Sequence, residues 1–249
     1  MNMPAKYLLY FFCIFLFYSC VDKKKIQNEI VETKGLKTGI WRGEILLNNK
    51  SLPFNFEIRR NKEDETVKEL IVINDQEHLV SDTLQETQDS ILWVLNKFHT
   101  YVKAKITEEG QKLKGICLIE NKPFPFEAIY GEKRRFLMEI IKPNDDISGT
   151  WAVFFKNNKG ESWQAVGIFA QDRHQLVGNI KTREGAFRFL EGIVSGQKLR
   201  LSCFEGDHAY LLEADIQNEN HIINGEFWSV SGEYRRFEAI RSENAEMID

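Results

Sequence analysis

The chain repeats itself after about 110 residues, and this repeat constrains the fold more than any other feature. A repeat that holds its register over some 90 positions indicates two copies of one structural unit. Four landmarks recur with a shift of 109 to 111 positions: Gly39-Ile40-Trp41 as Gly149-Thr150-Trp151, His99 as His208, Gly115 as Gly225, and Phe126-Glu127-Ala128-Ile129 as Phe237-Glu238-Ala239-Ile240.

Each copy has the sequence pattern of β-strands. The segment 53–58 alternates apolar and polar residues, as a half-buried strand does. Turn-forming residues recur every eight to twelve positions, which is typical of strands joined by hairpins. In the second copy the pattern predicts eight strands, at 149–156, 162–170, 175–181, 186–194, 197–203, 208–216, 222–228 and 232–240.

We therefore predict an all-β fold made of two tandem, similar antiparallel meanders of about eight strands each. Such meanders close as lipocalin-like barrels or pack as sandwiches, and closure removes exposed strand edges. One larger sheet system shared by both copies is the alternative. The predicted boundaries are β repeat 1 at 38–131, a polar linker at 132–147, β repeat 2 at 148–241 and a polar C-terminal tail at 242–249.

The first twenty residues have the layout of a bacterial lipoprotein signal. Lys6 precedes an apolar run, and Ser19-Cys20 precede the polar residues 22–25. The run is about a dozen residues long, whereas a spanning helix needs about 20. We predict a signal peptide at 1–19, lipid on Cys20 and a flexible tether at 20–37; secretion without lipid is the alternative.

Composition excludes some classes of function. The hydrophobic fraction is 43% and the formal net charge is −4, with lysines and arginines spread among acidic residues. Such a distribution does not predict a nucleic-acid interface. Motifs for zinc, phosphate or nucleophilic catalysis do not occur in the sequence, so it indicates no cofactor, no metal and no catalytic residue.

Two cysteines fall inside the β repeats, Cys117 and Cys203, and they form no Cys-x-x-Cys pair. Both lie in apolar strand-like segments, where small buried thiols fit well. Three interpretations follow: unpaired core cysteines, a structural disulfide, or redox catalysis.

Four tryptophans and two histidines are further candidates. Trp41, Trp151, Trp163 and Trp228 either fill the barrel cores or line a ligand cavity. His99 and His208 occupy equivalent places in the two copies, which favours a structural role in turns or strand caps. The pairs 134–135 and 235–236 are arginines that we expect at exposed loops or strand ends.

Specific strings in the second copy resemble a known family. They are Ser148-Gly149-Thr150-Trp151, Thr182-x-x-Gly185-x-x-Arg188-x-Leu190-Glu191-Gly192 and 201–209; in the first copy Gly39-x-Trp41-Arg42-Gly43 is similar. They resemble the N-terminal β-rich region of TlpA-like thiol-disulfide oxidoreductase lipoproteins of the Bacteroidota. In that family a thioredoxin domain follows and supplies the Cys-x-x-Cys pair, for which this sequence has no counterpart.

The resemblance implies a non-catalytic accessory or interaction module of the cell envelope, related to thiol-disulfide redox proteins. Its partners would be the membrane, through lipid on Cys20, and an envelope protein such as a redoxin. We expect it to face the periplasm from a bacterial membrane, the outer membrane being favoured and the inner membrane being the alternative. The alternatives are a lipocalin-like binder of an apolar small molecule and an enzyme that uses Cys117 or Cys203.

Overall fold

The computed structural model describes residues 35–247, which belong to one compact unit. Apart from two short 3-10 turns at 96–98 and 108–110, the regular structure of this part is all strand. The predicted all-β class and the two tandem antiparallel arrays are confirmed. The two arrays differ in one respect, because only the second closes into a barrel.

The first array is a sheet of nine antiparallel strands, which we call the nine-stranded sheet. Its strand order is β4-β3-β2-β1-β9-β8-β7-β6-β5, so the two edge strands are consecutive in the chain. The strands are β1 (Gly39–Leu47), β2 (Lys50–Arg60), β3 (Lys68–Asn74), β4 (Glu77–Val80), β5 (Thr83–Glu86), β6 (Ser90–Leu95), β7 (Thr100–Thr107), β8 (Lys112–Ile119) and β9 (Lys122–Tyr130).

The second array is a closed barrel of eight antiparallel strands, in which the last strand pairs with the first. We call it the closed barrel. Its strands are β10 (Gly149–Asn157), β11 (Ser162–Asp172), β12 (Gln175–Thr182), β13 (Gly185–Ser195), β14 (Lys198–Phe204), β15 (Ala209–Asn218), β16 (His221–Ser229) and β17 (Tyr234–Arg241).

One strand of the closed barrel corresponds to two strands of the nine-stranded sheet. In the barrel β13 pairs with β12 on one side and β14 on the other. In the sheet β4 pairs with β3, whereas β5 pairs with β6. The equivalent strand is thus broken after Val80, which is why the first copy has nine strands and two edges.

A seam of hydrogen bonds brings these two edges together. Between β4 and β5, the Ser81 N–H donates to Leu70 of β3 at 2.8 Å and the Asp82 N–H donates to Val94 of β6 at 3.0 Å. Lys68 Nζ contacts Glu86 at 2.7 Å and also donates to the Leu36 carbonyl at 2.7 Å. The edge strands β4 and β5 do not pair with each other, so side-chain contacts and the segment before β1 connect the two edges instead.

Each copy is plugged at one end by its equivalent tryptophan. Trp41 and Trp151 are both fully buried. Each indole N–H donates to the carbonyl oxygen four residues earlier, of Lys37 and of Ile147, at 3.0 Å in both cases. The Gly-x-Trp motif therefore has the same structural role in the two copies.

The two copies share a core, because Phe204 at the end of β14 packs into the nine-stranded sheet. Its ring stacks on Phe54 with 4.6 Å between centroids. The fully buried Asn74 accepts from the Phe204 N–H at 3.1 Å and donates to its carbonyl at 2.7 Å. Apolar contact and satisfied backbone polar groups thus join the copies at one point.

The linker 132–147 is more buried than its polar sequence predicts. Phe136 belongs to the core of the nine-stranded sheet and Ile147 to that of the closed barrel. Arg135 is only 5% exposed; its guanidinium donates to Glu191 at 2.6 Å and to the Ile73 carbonyl at 2.7 Å. The linker is therefore part of the junction between the copies.

Candidate binding groove on the second barrel

A groove of about 820 Å³ lies on the outer face of the closed barrel. It crosses six neighbouring strands in the order β14-β15-β16-β17-β10-β11. We call it the outer groove. Its charged and polar lining residues are Lys156, Ser162, Lys198, Arg200, Glu213, Asp215, Asn224, Glu226, Arg236 and Glu238.

The alternation of side chains along the strands places these residues outside the barrel. In β15, Leu212 and Ala214 are buried, whereas Glu213 and Asp215 are half-buried. Successive side chains of a strand point to opposite faces, so the charged set shares the solvent face. The sequence pattern alone indicates such a face on every strand, but not that six of them form a concave surface.

A local irregularity of β16 shapes the middle of the groove. The register of β16 shifts against β17 between Ile222 and Gly225, and Asn224 has a positive φ of 53°. Irregular pairing of this kind bends a strand and increases its twist. A Cβ on Gly225 would lie 2.5 Å from the Phe237 carbonyl oxygen, so only glycine allows this close approach.

One half of the groove is internally charge-matched. Lys198 contacts Asp215 at 2.5 Å, and Asn224 donates to the same carboxylate at 3.0 Å. These hydrogen bonds hold the pKa of Asp215 below its usual value. Glu213 is contacted by Arg200 at 3.3 Å and by Lys50 of β2 at 2.6 Å.

The other half contains two cations and two carboxylates: Glu226 of β16 is directly opposite Arg236, and Glu238 lies two residues further along β17. Arg236 of β17 and Lys156 of β10 are directly opposed across the strand pair. Like charges in this position destabilise a sheet. Arg236 lies 3.5 Å from the Tyr234 hydroxyl, which in turn donates to Glu226 at 2.8 Å. Phe154, with 40% of its surface exposed, lies on the same side of the groove.

The inside of the closed barrel, by contrast, is filled by side chains. Trp151 closes one end, and an aromatic cluster occupies the other. Phe155 lies 5.8 Å from Trp163 and 6.0 Å from Phe227 between ring centroids, and Phe187 lies 4.8 Å from Phe227. This packing is typical of the core of a small barrel.

The four tryptophans of the sequence analysis do not meet in one site. Trp41 and Trp151 are core residues of different copies, and Trp163 belongs to the aromatic end of the closed barrel. Trp228 lies in the junction, where Lys50 Nζ is 4.4 Å from its ring centroid. The fifth tryptophan, Trp93, is a core residue that the repeat motifs did not reveal.

Arg235 occupies the aromatic end of the barrel. Its guanidinium carbon lies 4.9 Å from the ring centroid of Trp163 and 5.2 Å from that of Phe227, and its side chain is 13% exposed. Glu233 neutralises it at 2.8 Å. The prediction of exposed arginines is wrong for Arg235 and, as shown above, for Arg135. Arg135 is buried and the side chain of Arg235 is largely covered, in both cases by contacts with other strands.

His99 and His208 both lie in connections just before a strand, and both side chains are exposed. His99 has a positive φ of 48°, and its N–H donates to Asn96 at 3.1 Å. The His208 carbonyl accepts from the Glu205 N–H at 2.7 Å. In both cases the backbone of the histidine forms the turn.

Cys117 and Cys203 are free and buried, each in the core of its own copy. The disulfide interpretation is therefore wrong. Burial raises the pKa of both thiols well above its ordinary value. Since the thiolate is the nucleophile, neither cysteine has the environment of a reactive thiol.

Acidic residues of both copies meet near the end of β14. Glu205 is 9% exposed, and burial raises its pKa to about 7, with the charges of Glu77 and Asp207 adding to the effect. Arg188 approaches it at 3.9 Å. Within residues 35–247 no group of three or more His, Cys, Asp or Glu side chains is arranged to hold a metal ion.

The predicted signal peptide and the lipidation site Cys20 lie outside the described residues. In the described part of the chain, no helix has the length and apolar character needed to cross a membrane.

Comparison with known proteins identifies no family, since no protein-family model and no curated protein matches the chain. The chain is similar to a solved structure from Nitrosomonas europaea whose assignment as an ATTH protein is itself provisional. The two share 10% sequence identity, the alignment covers 82% of this chain and 92% of that chain, and the TM-score is 0.17. A likeness at this TM-score carries no argument, so the architecture rests on the strand pairing described above.

Proposed function

We propose that this protein is a non-catalytic binding protein that holds a ligand in the outer groove. The observation that carries the proposal is the groove itself, which has about 820 Å³ of space and a polar lining. Binding sites for small ligands typically have volumes of about 300–1,000 Å³ and a few placed polar groups. The groove therefore has the size of a binding site and lies on a rigid barrel wall.

The residues of the groove favour a role in binding over a role in catalysis. Lys198 and Asn224 hold the pKa of Asp215 below its usual value, and a carboxylate so stabilised is a poor proton acceptor. The thiols of both copies are buried away from solvent. The alternative of an apolar ligand inside the closed barrel is less well supported, because aromatic side chains occupy the inner positions.

The setting of this activity follows from the sequence and is part of the proposal. A lipid on Cys20 would tether the described residues to a bacterial membrane facing the periplasm, most readily the outer membrane. The resemblance to TlpA-like lipoproteins suggests a redoxin-type envelope protein as the partner that is bound or positioned there.

Site-specific photo-crosslinking tests the proposal. A photo-reactive amino acid would replace Phe154, which lines the groove, or Ile168, which has a similar exposure of 42% but does not line it. We expect a discrete covalent adduct in cells from position 154 and none from position 168. Native mass spectrometry of the purified protein would reveal a bound small molecule.

Equal crosslinking at both positions would indicate nonspecific collisions. No adduct at position 154, together with an unliganded mass, would contradict the proposal. Mass spectrometry of an adduct would also identify the partner, and a partner without a thioredoxin fold would rule out the redoxin assignment while leaving the groove as a binding site.

A further inference from the structure

The connection between β14 and β15 packs against the nine-stranded sheet on both sides of its broken strand. Phe204 hydrogen-bonds to Asn74 at the end of β3, and its ring centroid lies 6.0 Å from that of Trp93 of β6. The next four residues, 205–208, form a tight turn, in which the first N–H donates to the last carbonyl at 2.7 Å. We call residues 205–208 the junction turn.

Two contacts hold the junction turn on the nine-stranded sheet. The Thr100 hydroxyl of β7 donates to the Gly206 carbonyl at 3.1 Å, and Thr100 is only 1% exposed. A Cβ on Gly206 would lie 2.4 Å from the Phe98 ring, so the backbone of the turn lies directly against this ring. The docked turn therefore covers Thr100 and one side of the half-buried Phe98.

Docking also brings together carboxyl groups of the two copies with little access to solvent. Glu205 is 9% exposed, and Glu77 Oε2 of β4 is buried without a hydrogen-bond partner. Arg188 contacts Glu205 only at 3.9 Å, and its side chain is 60% exposed. A buried carboxylate is costly unless it is paired and hydrogen-bonded. The docked turn therefore accommodates Glu205 more readily as the neutral acid than as the carboxylate.

Other charged and titratable groups surround the junction turn. They are Asp207 and His208 of the turn, Tyr210 of β15, Cys203 of β14, Arg188 and Glu191 of β13, Arg135 of the linker, Glu233 before β17, Glu77 of β4, and Lys97 and His99 before β7. Burial, then the charge of Glu77, raises the pKa of Glu205 to about 7, although Arg188 opposes the shift. Burial and the charge of Glu205 raise the pKa values of Tyr210 and Cys203, so both groups are neutral near pH 7.

We propose that the junction turn is a pH-sensitive contact, which leaves Thr100 and Phe98 when Glu205 ionises while Phe204 stays in place. The proton passes from the Glu205 carboxyl group to solvent, and the carboxylate regains hydration by moving away from Glu77. Phe204 stays because its hydrogen bonds and ring stacking involve no ionisable group. The proposal is independent of any ligand of the outer groove, since the junction turn does not line the groove.

Hydroxyl-radical footprinting of the full-length protein between pH 5 and pH 9 tests the proposal. Oxidation of Phe98, measured relative to the exposed Phe154, should rise with a midpoint near pH 7. At pH 8 the carboxylate of Glu205 should exceed the acid about tenfold, so the rise should be nearly complete. Oxidation of Phe54, on which Phe204 stacks, should stay constant.

Matched variants identify the group that titrates. E205Q keeps a neutral side chain of the same size at every pH, so Phe98 should stay protected up to pH 9. E77Q removes the facing charge and should reduce the rise. E238Q, at an exposed position of the outer groove, should leave the response unchanged. H208Q and H99N should also leave it unchanged; they are needed because histidine side chains change charge between pH 5 and pH 8.

The Thr100 hydroxyl provides a second readout. T100V should lower the free energy of unfolding more at pH 5.5, where the turn is docked, than at pH 8.5, where the turn is released. S202A is the matched control, because the buried Ser202 hydroxyl also joins the copies, donating to the Pro53 carbonyl at 2.5 Å, but lies outside the turn. Its cost should be the same at both pH values.

Three results would overturn the proposal. The first is an oxidation of Phe98 that does not change with pH in the wild type. The second is a response that E205Q retains or that H208Q or H99N abolishes. The third is a rise in Phe54 oxidation together with that of Phe98, which would show that the two copies separate as a whole. A T100V cost that is equal at both pH values would likewise contradict release of the turn.

Discussion

At the residue scale, the Gly-x-Trp motif of each copy forms the same hydrogen bond, from the tryptophan indole N–H to a backbone carbonyl. Trp41 and Trp151 each donate to a carbonyl oxygen four residues earlier and each close one end of a sheet. The indole N–H of a buried tryptophan needs a partner, and the segment before the first strand supplies it. The glycine two residues before each tryptophan has a φ above 120°, which permits the turn into the strand.

We predict that W151F lowers the free energy of unfolding by about 1–3 kcal/mol, because the buried Ile147 carbonyl loses its donor. W41F should have a similar effect through Lys37. Urea denaturation measures both. W163F is the control, since Trp163 is half-buried and should lose less; an equal loss in all three variants would show that ring size, not the hydrogen bond, determines the cost.

We also predict that Cys117 and Cys203 resist modification in the native state, because burial raises the pKa of both thiols. An aromatic disulfide reagent at pH 8 should label them only as fast as the protein unfolds. In denaturant both should react within seconds to minutes. Rapid stoichiometric labelling of the native protein would contradict the buried placement.

Some residue roles were readable from the sequence and others were not. Of the three interpretations that the sequence leaves open for the two cysteines, the structure supports unpaired core residues, and the apolar strand pattern around each thiol indicates that environment. Arg135 and Arg235 were misplaced, since their burial depends on Glu191 and on aromatic rings of other strands. The role of a charged residue depends on partners that local sequence does not contain.

At the element scale, the strands of the second copy match their predicted limits within two residues. Hairpin turns and alternation are local signals, so they predict these limits well. The break between β4 and β5 was not predicted, because it depends on how Ser81 and Asp82 hydrogen-bond to β3 and β6. The outer groove was missed for a similar reason, since it needs six strands and the irregularity of β16.

Phe204, at the end of β14, packs into the core of the other copy, so its removal should affect both copies. F204A should destabilise the protein by about 3–5 kcal/mol, the usual cost of removing a buried phenylalanine ring. Because Phe204 packs in the core of the nine-stranded sheet, hydrogen exchange should accelerate in β2 and β6, not only in β14. F155A, in the core of the closed barrel, should instead accelerate exchange in β10 and β11.

At the scale of the whole molecule, a buried carboxyl group lies where the copies meet. Glu205 of the closed barrel faces the charge of Glu77 from β4, and Glu77 Oε2 is buried without a hydrogen-bond partner. Arg188 and Asp207 act on Glu205 with opposite signs. Burial of this cluster therefore favours the protonated form of Glu205.

This arrangement predicts a pH dependence with a defined sign. Because the pKa of Glu205 is raised from 4.5 to about 7 in the folded state, the folded protein binds this proton more tightly than the unfolded chain does. The contribution of Glu205 to stability should be greatest below pH 4.5 and should fall as the pH rises to about 7.

Urea denaturation across this pH range, with wild type compared to E205Q, isolates the effect. The difference in unfolding free energy between them should shift in favour of E205Q as the pH rises. E238Q, at an exposed position of the outer groove, should show no such shift. A constant difference between wild type and E205Q would rule out the proposed ionisation.

The seam of the nine-stranded sheet has a mechanical consequence. Leu36 lies three residues before the start of β1; its carbonyl accepts from Lys68, and its N–H donates to Glu86. A pull on the chain from its N-terminal side would load these few contacts before reaching any strand of the interior. We expect such tension to open the nine-stranded sheet before the closed barrel, so that the outer groove would keep its shape.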